Sequence, residues 1–521
     1  MARATGSPHA GSPDAGSPRT GRAREPARWL SALMPVAGAL LTLSFAPFGL
    51  WPAGIAGAAL FGYSLCTCGP RLAALRGWLF GAGLFGTGAS WVYVSIHVYG
   101  AAPVPLAVLL TGIFCAGLAL LPAAFAASYA AWIRPLPGGM LLGFPALWVL
   151  FEWLRSWLLT GFPWLFLGYA HLDSWLAGWA PVAGVYGASF AVALSASCLF
   201  LAWRSRRPAA LLVYGAILAV LWGGGRQLAQ VEWVAPASEL PLSVALYQPN
   251  IPLEKKWDRR YYRDILRQYE AAIGPQLEHD IVIWPESAIP RLYQGARPFL
   301  DPIDRRARLA DSTLITGIPT APAPGIFHNS ILALGQGSGL YHKQRLVPFG
   351  EYVPLEHWLR GLIAFFDLPM SNFSRGPADQ AALRAGSHRA APFICYEIVY
   401  PGLVASGSRN ADLLVTISND TWFGASIGPL QHLEMARMRA LENGRYLLRG
   451  TNNGVTAIID HRGRVRARTA QFEEATLVGD ARAMLGHTPF TSFGTAPVIG
   501  GCTVLLLLMV LAYRLFWREG R

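Results

Sequence analysis

The chain has 521 residues, of which 53% are hydrophobic and only 14% charged, and its mean hydropathy is +0.34. This composition excludes an ordinary soluble globular protein and indicates several membrane spans. The net charge of +13 lies largely in the N-terminal tail and in loops between apolar runs. It indicates membrane topology rather than nucleic-acid binding, because no basic stripe alternates with base-stacking aromatic residues.

Residues 1–28 are rich in Ser, Pro, Gly and Arg, and we expect a disordered tail there. Residues 29–224 form a predicted membrane domain with seven apolar runs, and an eighth run lies in the C-terminal segment 494–521. Each run is near the ~20 residues needed to cross a bilayer. The runs cover approximately residues 29–47, 50–67, 74–97, 103–133, 138–160, 176–203, 208–224 and 494–516.

Basic residues between the apolar runs are distributed asymmetrically. They precede the first run and follow the second, fourth, sixth and last runs, whereas the loops after the first and third runs contain no Lys or Arg. By the positive-inside rule, both termini are then cytoplasmic. Seven runs before residue 225 place residues 225–493 on the outer face of the membrane.

Residues 225–493 are more charged, and strand and helix patterns alternate along them. Such alternation predicts a layered α/β domain. The histidines are scattered without metal-ligand spacing, so we expect no zinc site. The predicted strands are 242–247, 281–284, 314–317, 413–417 and 455–460, and the predicted helices are 258–273 and 429–447.

Cys395 is the only cysteine outside the apolar runs. A lone cysteine of this kind often serves as a small buried apolar residue. However, Glu286 and Lys343 also follow apolar strand patterns, and functional sites of α/β sheets lie in loops at strand ends. A thiol of ordinary pKa, about 8.5, needs a base or a cation to become an effective nucleophile. Glu286 and Lys343 supply these two groups, although each alone is more often a solvated surface residue.

Glu286, Lys343 and Cys395, in this order and each at a strand end, resemble the nitrilase, or carbon-nitrogen hydrolase, superfamily. Further motifs resemble the bacterial apolipoprotein N-acyltransferase family over the whole chain except its first ~28 residues. Thr421 stands where this family is expected to have a small residue, which leaves the chemistry unaffected. The motifs occupy residues 161–165, 284–287, 347–354, 394–397, 418–424, 431–432 and 451–454.

The resemblance implies a polytopic α-helical membrane protein with about eight spans and an extracytoplasmic nitrilase-like α-β-β-α sandwich. It implies transfer of an acyl chain from a phospholipid, typically phosphatidylethanolamine, to the α-amine of the diacylglyceryl-cysteine that begins an apolipoprotein. Cys395 would form a thioester, with Glu286 as base and Lys343 on the oxyanion, in a two-step ping-pong reaction. No cofactor or metal is implied. The expected location is the bacterial cytoplasmic membrane, with the catalytic domain on its periplasmic face.

The resemblance also assigns supporting roles. Glu351 matches a further acidic position, and Tyr396 and Glu397 flank the nucleophile. Trp257 and Trp422 are expected to bind substrate.

Phe365 and Phe366 end an apolar stretch, residues 357–366. We predict that residues 356–370 form a lid or lipid guide at the membrane interface, the alternative being a helix packed on the domain core.

Two other functions remain open at this point. A membrane-anchored amidase or nitrilase that hydrolyses a small C–N bond could use the same three residues, although one span would suffice as its anchor. A transporter or scaffold with a retired hydrolase domain would need charges within its spans. Glu152 and Arg155 are nearly the only such charges.

Overall fold

The computed structural model describes residues 28–205, 207–352 and 372–516. The predicted disordered tail, apart from Arg28, lies outside these residues. The predicted lid segment 356–370, with Phe365 and Phe366, also lies outside them.

The N-terminal half is a bundle of helices that follow the predicted apolar runs. The helices are α1 (Arg28–Ser44), α2 (Trp51–Leu65), α3 (Pro70–Gly88), α4 (Val92–Val94), α5 (Val104–Leu118), α6 (Leu120–Ser128), α7 (Phe144–Arg155), α8 (Ala180–Ser205) and α9 (Pro208–Leu228). Short π-helical segments extend α4 and α6 and precede α7, at Ser95–Tyr99, Tyr129–Ile133 and Gly139–Gly143. The loop between α7 and α8 contains three 3-10 turns, at Leu158–Thr160, Leu167–His171 and Trp175–Trp179.

Within the described residues, four helical segments are long and apolar enough to cross a membrane, judged by length and composition. A fifth is added if α3 and the helix Val92–Tyr99, bent by 60° relative to each other, form one broken span. Helices α1, α2 and α7 are shorter, with 17, 15 and 12 residues. The count of eight spans therefore remains a prediction. The four segments are Val104–Ile133, Trp175–Ser205, Pro208–Leu228 and Ala496–Leu515.

Helix α3 packs closely against both α1 and α6 through glycines. A Cβ atom on Gly83 would lie 2.0 Å from the carbonyl oxygen of Pro35 in α1, and one on Gly77 would lie 2.2 Å from that of Pro122 in α6. Because nothing larger than hydrogen fits at these contacts, the three helices approach backbone to backbone. Such small-residue packing is common between helices in membranes.

The C-terminal half contains two six-stranded sheets and a small antiparallel pair, β1 (Ala235–Pro236) with β14 (Met484–Leu485). In spatial order, the first sheet is β13 (Ala475–Ala481), β2 (Leu242–Gln248), β3 (Ile281–Ile283), β4 (Thr313–Ala323), β5 (Ile326–Gly335) and β6 (Leu340–His342). The second is β12 (Val465–Arg468), β11 (Ala457–Ile459), β10 (Leu447–Thr451), β9 (Leu413–Ser418), β8 (His388–Ile394) and β7 (Leu383–Ala385). Strands β2, β3 and β4 run parallel, as do β8, β9 and β10.

The two sheets pack face to face through alternate apolar residues of their strands, including Leu246 and Ile283 on one side and Ile417 on the other. The first sheet is covered by α11 (Tyr262–Gln276) and α12 (Tyr293–Leu309), which follow the short helix α10 (Leu253–Lys256), and the second by α13 (Pro401–Ser408) and α14 (Gly428–Asn443). This four-layer arrangement confirms the predicted α-β-β-α sandwich. Helix α15 (Pro489–Phe493) then leads into α16 (Ala496–Phe516).

Helix α14 also connects the sandwich to the N-terminal bundle of helices, residues 28–228 (the membrane half). Its buried residues Leu433, Met435 and Ala436 belong to one hydrophobic cluster with Val185 and Tyr186 of α8. The second sheet therefore shares its helical layer with the membrane bundle, and the two halves have a continuous core.

Element ends differ from the sequence prediction by a few residues. Helix α14 ends at Asn443 rather than at 447 because Gly444 follows it with a φ of 61°, in the left-handed conformation that commonly ends a helix. Helix α11 begins at Tyr262 rather than 258, and β4 extends to Ala323 rather than 317.

Replacing Ile417 with Ala should lower the free energy of unfolding by about 2–5 kcal/mol, because its side chain is fully buried between the sheets. The midpoint of thermal unfolding in detergent would report this loss. Val478 on β13 is 51% exposed and provides the control. If Ile417→Ala lowered the midpoint no more than Val478→Ala, the inter-sheet core would contribute less than its burial indicates.

Candidate active site

Three reactive side chains follow three strand ends, as predicted. Glu286 comes shortly after β3, Lys343 directly after β6, and Cys395 directly after β8. The Nζ atom of Lys343 lies 3.5 Å from Oε1 of Glu286, and the charges of both residues act on the Cys395 thiol. The structure thus brings the three predicted residues together, although they come from different sheets.

Glu286 is 6% exposed, and both of its carboxylate oxygens are held. The side-chain amide of Asn329 donates to Oε1 at 2.7 Å, and the backbone N–H of Asn419 donates to Oε2 at 2.8 Å. Lys256 donates to the backbone carbonyl of Glu286 at 2.8 Å. A Cβ atom on Gly317 of β4 would lie 2.7 Å from the Cα atom of Glu286, so this close approach requires glycine. The carboxylate therefore has one fixed orientation.

Lys343 is 1% exposed, and its Nζ atom lies 2.9 Å from each carboxylate oxygen of Glu351. Burial by itself lowers the pKa of Lys343, but the charges of Glu351 and Glu286 outweigh it and raise the pKa above its ordinary value. The ammonium group therefore stays charged. A buried, fixed cation of this kind can stabilise an oxyanion.

Asn329 joins the two acidic residues of the site. Its Nδ2 atom donates to Oε1 of Glu351 at 2.9 Å as well as to Glu286. The backbone N–H of Val347 holds the other oxygen of Glu351 at 2.9 Å. Sequence reasoning missed Asn329; the available signal was a single amide side chain in the middle of the otherwise mostly apolar strand β5.

Cys395 begins a 3-10 helix, Cys395–Val399, and has a φ of 50°, in the left-handed region. Burial and the neighbouring Glu286 carboxylate raise the pKa of its thiol to about 12, and the charge of Lys343 opposes this rise only in part. The resting thiol is therefore protonated at neutral pH. To act as a nucleophile it must transfer its proton to a base during the attack.

Glu397 connects the loop of Lys343 to the loop of Cys395. Its fully buried carboxylate accepts from the backbone N–H groups of Gln344 at 2.6 Å and Ile394 at 2.9 Å, and from the hydroxyl of Tyr341 at 2.9 Å. Burial raises the pKa of Glu397 to about 7, although these backbone donors oppose the rise. Glu397 thus holds the two loops in register and supports the site through them.

Tyr396 connects the nucleophile to the membrane half. Its hydroxyl donates to the backbone carbonyl of Gly161 at 3.0 Å, and that of Tyr400 donates to the neighbouring carbonyl of Thr160 at 3.0 Å. Both acceptors lie in the loop between α7 and α8, which carries one of the motifs singled out in the sequence.

Of the two tryptophans expected to bind substrate, Trp257 directly follows α10, and Trp422 lies in the 3-10 turn Asp420–Phe423. The backbone carbonyl of Trp422 accepts from the hydroxyl of Ser95 at 2.8 Å, and its ring lies 5.7 Å from that of Tyr99. The indole N–H of Trp257 is buried and has no hydrogen-bond partner among the described residues. Their binding role remains a prediction. In the described part of the chain, no three His, Cys, Asp or Glu side chains are grouped to hold a metal.

The raised pKa of Cys395 predicts how its alkylation depends on pH. Between about pH 7 and about pH 10, the thiolate fraction should increase about tenfold per pH unit, whereas that of a free thiol levels off above about pH 8.5. The rate of iodoacetamide labelling of the peptide containing Cys395, followed by mass spectrometry, measures this. Free cysteine is the reference, and a plateau near pH 9 would contradict the raised pKa.

Comparison with known proteins covers both halves of the chain. The family model for the apolipoprotein N-acyltransferase N-terminal domain matches residues 37–198, and that for carbon-nitrogen hydrolase matches residues 243–489. An apolipoprotein N-acyltransferase of Azotobacter vinelandii is 48% identical, over 92% of this chain and 94% of the relative. Those of Pseudomonas aeruginosa PAO1 and Coxiella burnetii are 46% and 40% identical, over 95% and 92% of this chain and 99% and 100% of each relative.

Identity at this level over nearly the full length of this chain and of each relative leaves no large segment of the fold unmatched. The membrane half and the sandwich are each accounted for, and the apolar helices are compatible with a membrane protein. The chain therefore belongs to the apolipoprotein N-acyltransferase family and is an acyltransferase whose residues 243–489 form a carbon-nitrogen hydrolase domain.

Proposed function

We propose that the protein transfers a fatty acyl chain from a phospholipid to the α-amine of the N-terminal diacylglyceryl-cysteine of an apolipoprotein, through a thioester on Cys395. The observation that carries this proposal is the meeting of a thiol, a carboxylate and a buried ammonium at strand ends. These groups are what two-step covalent acyl transfer requires. Matches over the membrane half as well as the sandwich favour this function over an anchored amidase.

In the first step, the sulfur of Cys395 attacks the ester carbonyl of the phospholipid while Glu286 accepts the thiol proton. Lys343 stabilises the negative charge that develops on the carbonyl oxygen. The ester C–O bond then breaks, and the proton on Glu286 passes to the leaving oxygen of the lysophospholipid. We take phosphatidylethanolamine as the typical donor.

In the second step, the amine of the apolipoprotein attacks the thioester carbonyl, and Glu286 accepts its proton. Collapse of the intermediate forms the amide, and the proton returns to the sulfur of Cys395. Glu351 supports both steps by holding Lys343 in place at 2.9 Å. In each step, the carboxylate of Glu286 accepts one proton and gives it up again. The site therefore returns to its starting protonation state after each turnover.

Both substrates are lipids, and we propose that they reach Cys395 from the outer leaflet. The proposal is supported by the hydrogen bond of Tyr396 to the loop between α7 and α8 and by the contact of Trp422 with Ser95. Trp257, Phe365 and Phe366 are proposed to bind or guide the acyl chains.

The proposed topology has eight spans in the inner membrane, cytoplasmic termini and a periplasmic catalytic domain. The distribution of Lys and Arg between the apolar runs supports it. An outer-face location would also bring the site to the leaflet in which an exported lipoprotein is anchored.

Incubation with phosphatidylethanolamine in the absence of an acceptor should add one fatty acyl group to the protein. Intact-protein mass spectrometry would detect the added mass, which hydroxylamine should release from the thioester. Cys395→Ala should show no adduct, and Glu286→Gln should form it about 10²–10⁴-fold more slowly, since general-base assistance is lost.

An active wild-type protein that hydrolyses a simple amide but never acquires the acyl group would instead favour the amidase. Adding a diacylglyceryl peptide to the acylated protein should then remove the adduct and produce the triacylated peptide, which identifies the acceptor.

Labelling with a membrane-impermeant maleimide tests the orientation, using single exposed positions in a Cys395→Ala background. Ser238→Cys, in the segment that follows α9, should be labelled in spheroplasts with an intact inner membrane. Arg207→Cys, between α8 and α9, should be labelled only after permeabilisation. The opposite pattern would place the catalytic domain in the cytoplasm.

A further inference from the structure

A buried ionic cluster lies behind the nucleophile, outside the group of Glu286, Lys343 and Cys395. It consists of Asp420, Arg449 and His432, none of them more than 1% exposed. The guanidinium of Arg449 lies 2.6 Å from Oδ2 of Asp420. The Nδ1 atom of His432 lies 3.1 Å from Nη2 of Arg449 and 3.2 Å from Oδ1 of Asp420. The chemistry described above leaves this cluster without a role.

Two contacts connect the cluster to Cys395. The Nε2 atom of His432 lies 3.2 Å from the backbone carbonyl oxygen of Cys395. The hydroxyl of Ser418 donates to Oδ1 of Asp420 at 2.6 Å and also interacts with the Cys395 thiol. The cluster therefore contacts both the backbone and the side chain of the nucleophile from the side away from solvent.

The protonation of His432 follows from its partners. A backbone carbonyl only accepts hydrogen bonds, so Nε2 must carry the proton that it donates to Cys395. Burial and the charge of Arg449 lower the pKa of His432, which makes the ring neutral. Nδ1 is then unprotonated and accepts from Arg449, and the ion pair of Arg449 with Asp420 fixes the orientation of the ring.

The peptide bond between Cys395 and Tyr396 transmits this hydrogen bond. In a trans peptide, the carbonyl of one residue and the N–H of the next point in opposite directions. The N–H of Tyr396 therefore points away from His432. As the second residue of the 3-10 helix, Tyr396 has no acceptor for its N–H within that helix, and no other residue described by the structure accepts from it. This N–H is a free donor directly beside the nucleophile.

We propose that His432 is a positioning residue, which holds the Cys395–Tyr396 peptide in place. The N–H of Tyr396 then donates to the oxyanion that develops on the carbonyl oxygen of the acyl group bound to the Cys395 sulfur. The proposal rests on the thioester chemistry proposed above. It applies to both steps, since each forms a tetrahedral intermediate at the same acyl carbon, with the negative charge on the same oxygen. The φ of 50° at Cys395 makes such a hold necessary, because a non-glycine residue in this region is strained and is kept there only by its surroundings.

Two substitutions separate the two nitrogens of the imidazole. The amide nitrogen of Gln reaches the position of Nε2, whereas that of Asn reaches only the position of Nδ1. His432→Gln should therefore keep the donor to Cys395 and form the thioester within a few-fold of the wild-type rate. His432→Asn should lose this donor and form the thioester about 10²-fold more slowly, with little change in KM for phosphatidylethanolamine.

Alkylation by iodoacetamide distinguishes positioning from a general structural role, because displacement at carbon forms no oxyanion. His432→Asn should alkylate at Cys395 at the wild-type rate and keep the wild-type thermal midpoint while its acylation is slow. Equal losses in alkylation and acylation, or equal impairment of the Gln and Asn variants, would overturn the proposal.

The outcomes also separate this proposal from the proposed function. Normal acylation of both variants would overturn the role of His432 alone. A wild-type protein that forms no thioester would overturn the proposed function and, with it, the role of His432. A folded Gln variant that acylates much more slowly than the wild type overturns the proposal. If His432→Asn does not fold, His432 is structural and the proposal fails.

Discussion

The site depends on one buried cation held between two carboxylates. Lys343 lies 2.9 Å from Glu351 and 3.5 Å from Glu286, and all three are less than 10% exposed. Removing charges from water is costly, and breaking such a group by deleting one member leaves an uncompensated buried charge. The backbone N–H groups of Val347 and Asn419, and the amide of Asn329, therefore satisfy the remaining carboxylate oxygens. Much of the surrounding loop structure follows from this requirement.

The same constraint explains why the two sheets must keep their register. Glu286 and Lys343 follow strands of the first sheet, and Cys395 follows a strand of the second. Glu397 couples the loops across the sandwich through its bonds to the N–H groups of Gln344 and Ile394. The inter-sheet core and this carboxylate together determine the distance between the Cys395 thiol and the charged groups of Glu286 and Lys343.

The sequence predicted the layered domain and the strand-end positions of Glu286, Lys343 and Cys395, because both depend on local patterns of apolar runs and the residues that follow them. It did not predict the contact of Asn329 with Glu286 or that of Arg449 with Asp420, since the partners are distant in the chain and meet only in the folded domain. The number of membrane spans could not be determined from hydropathy alone, because α1, α2 and α7 are short and one helical segment is bent. The positions of Trp257 and Trp422 relative to substrate depend on lipids that no sequence pattern describes.

The position of α14 has a consequence for the independence of the sandwich. Its residues Met435 and Ala436 do not face water but are buried in the same cluster as Val185 and Tyr186 of α8. The backbone N–H of Val185 also donates to the buried carboxylate of Glu442 at 2.6 Å. Excised at residue 225, the catalytic domain would lose this cover and expose a large apolar face to solvent. The hydrolase domain thus depends on the membrane bundle to cover this apolar face, and it is not a self-contained folding unit.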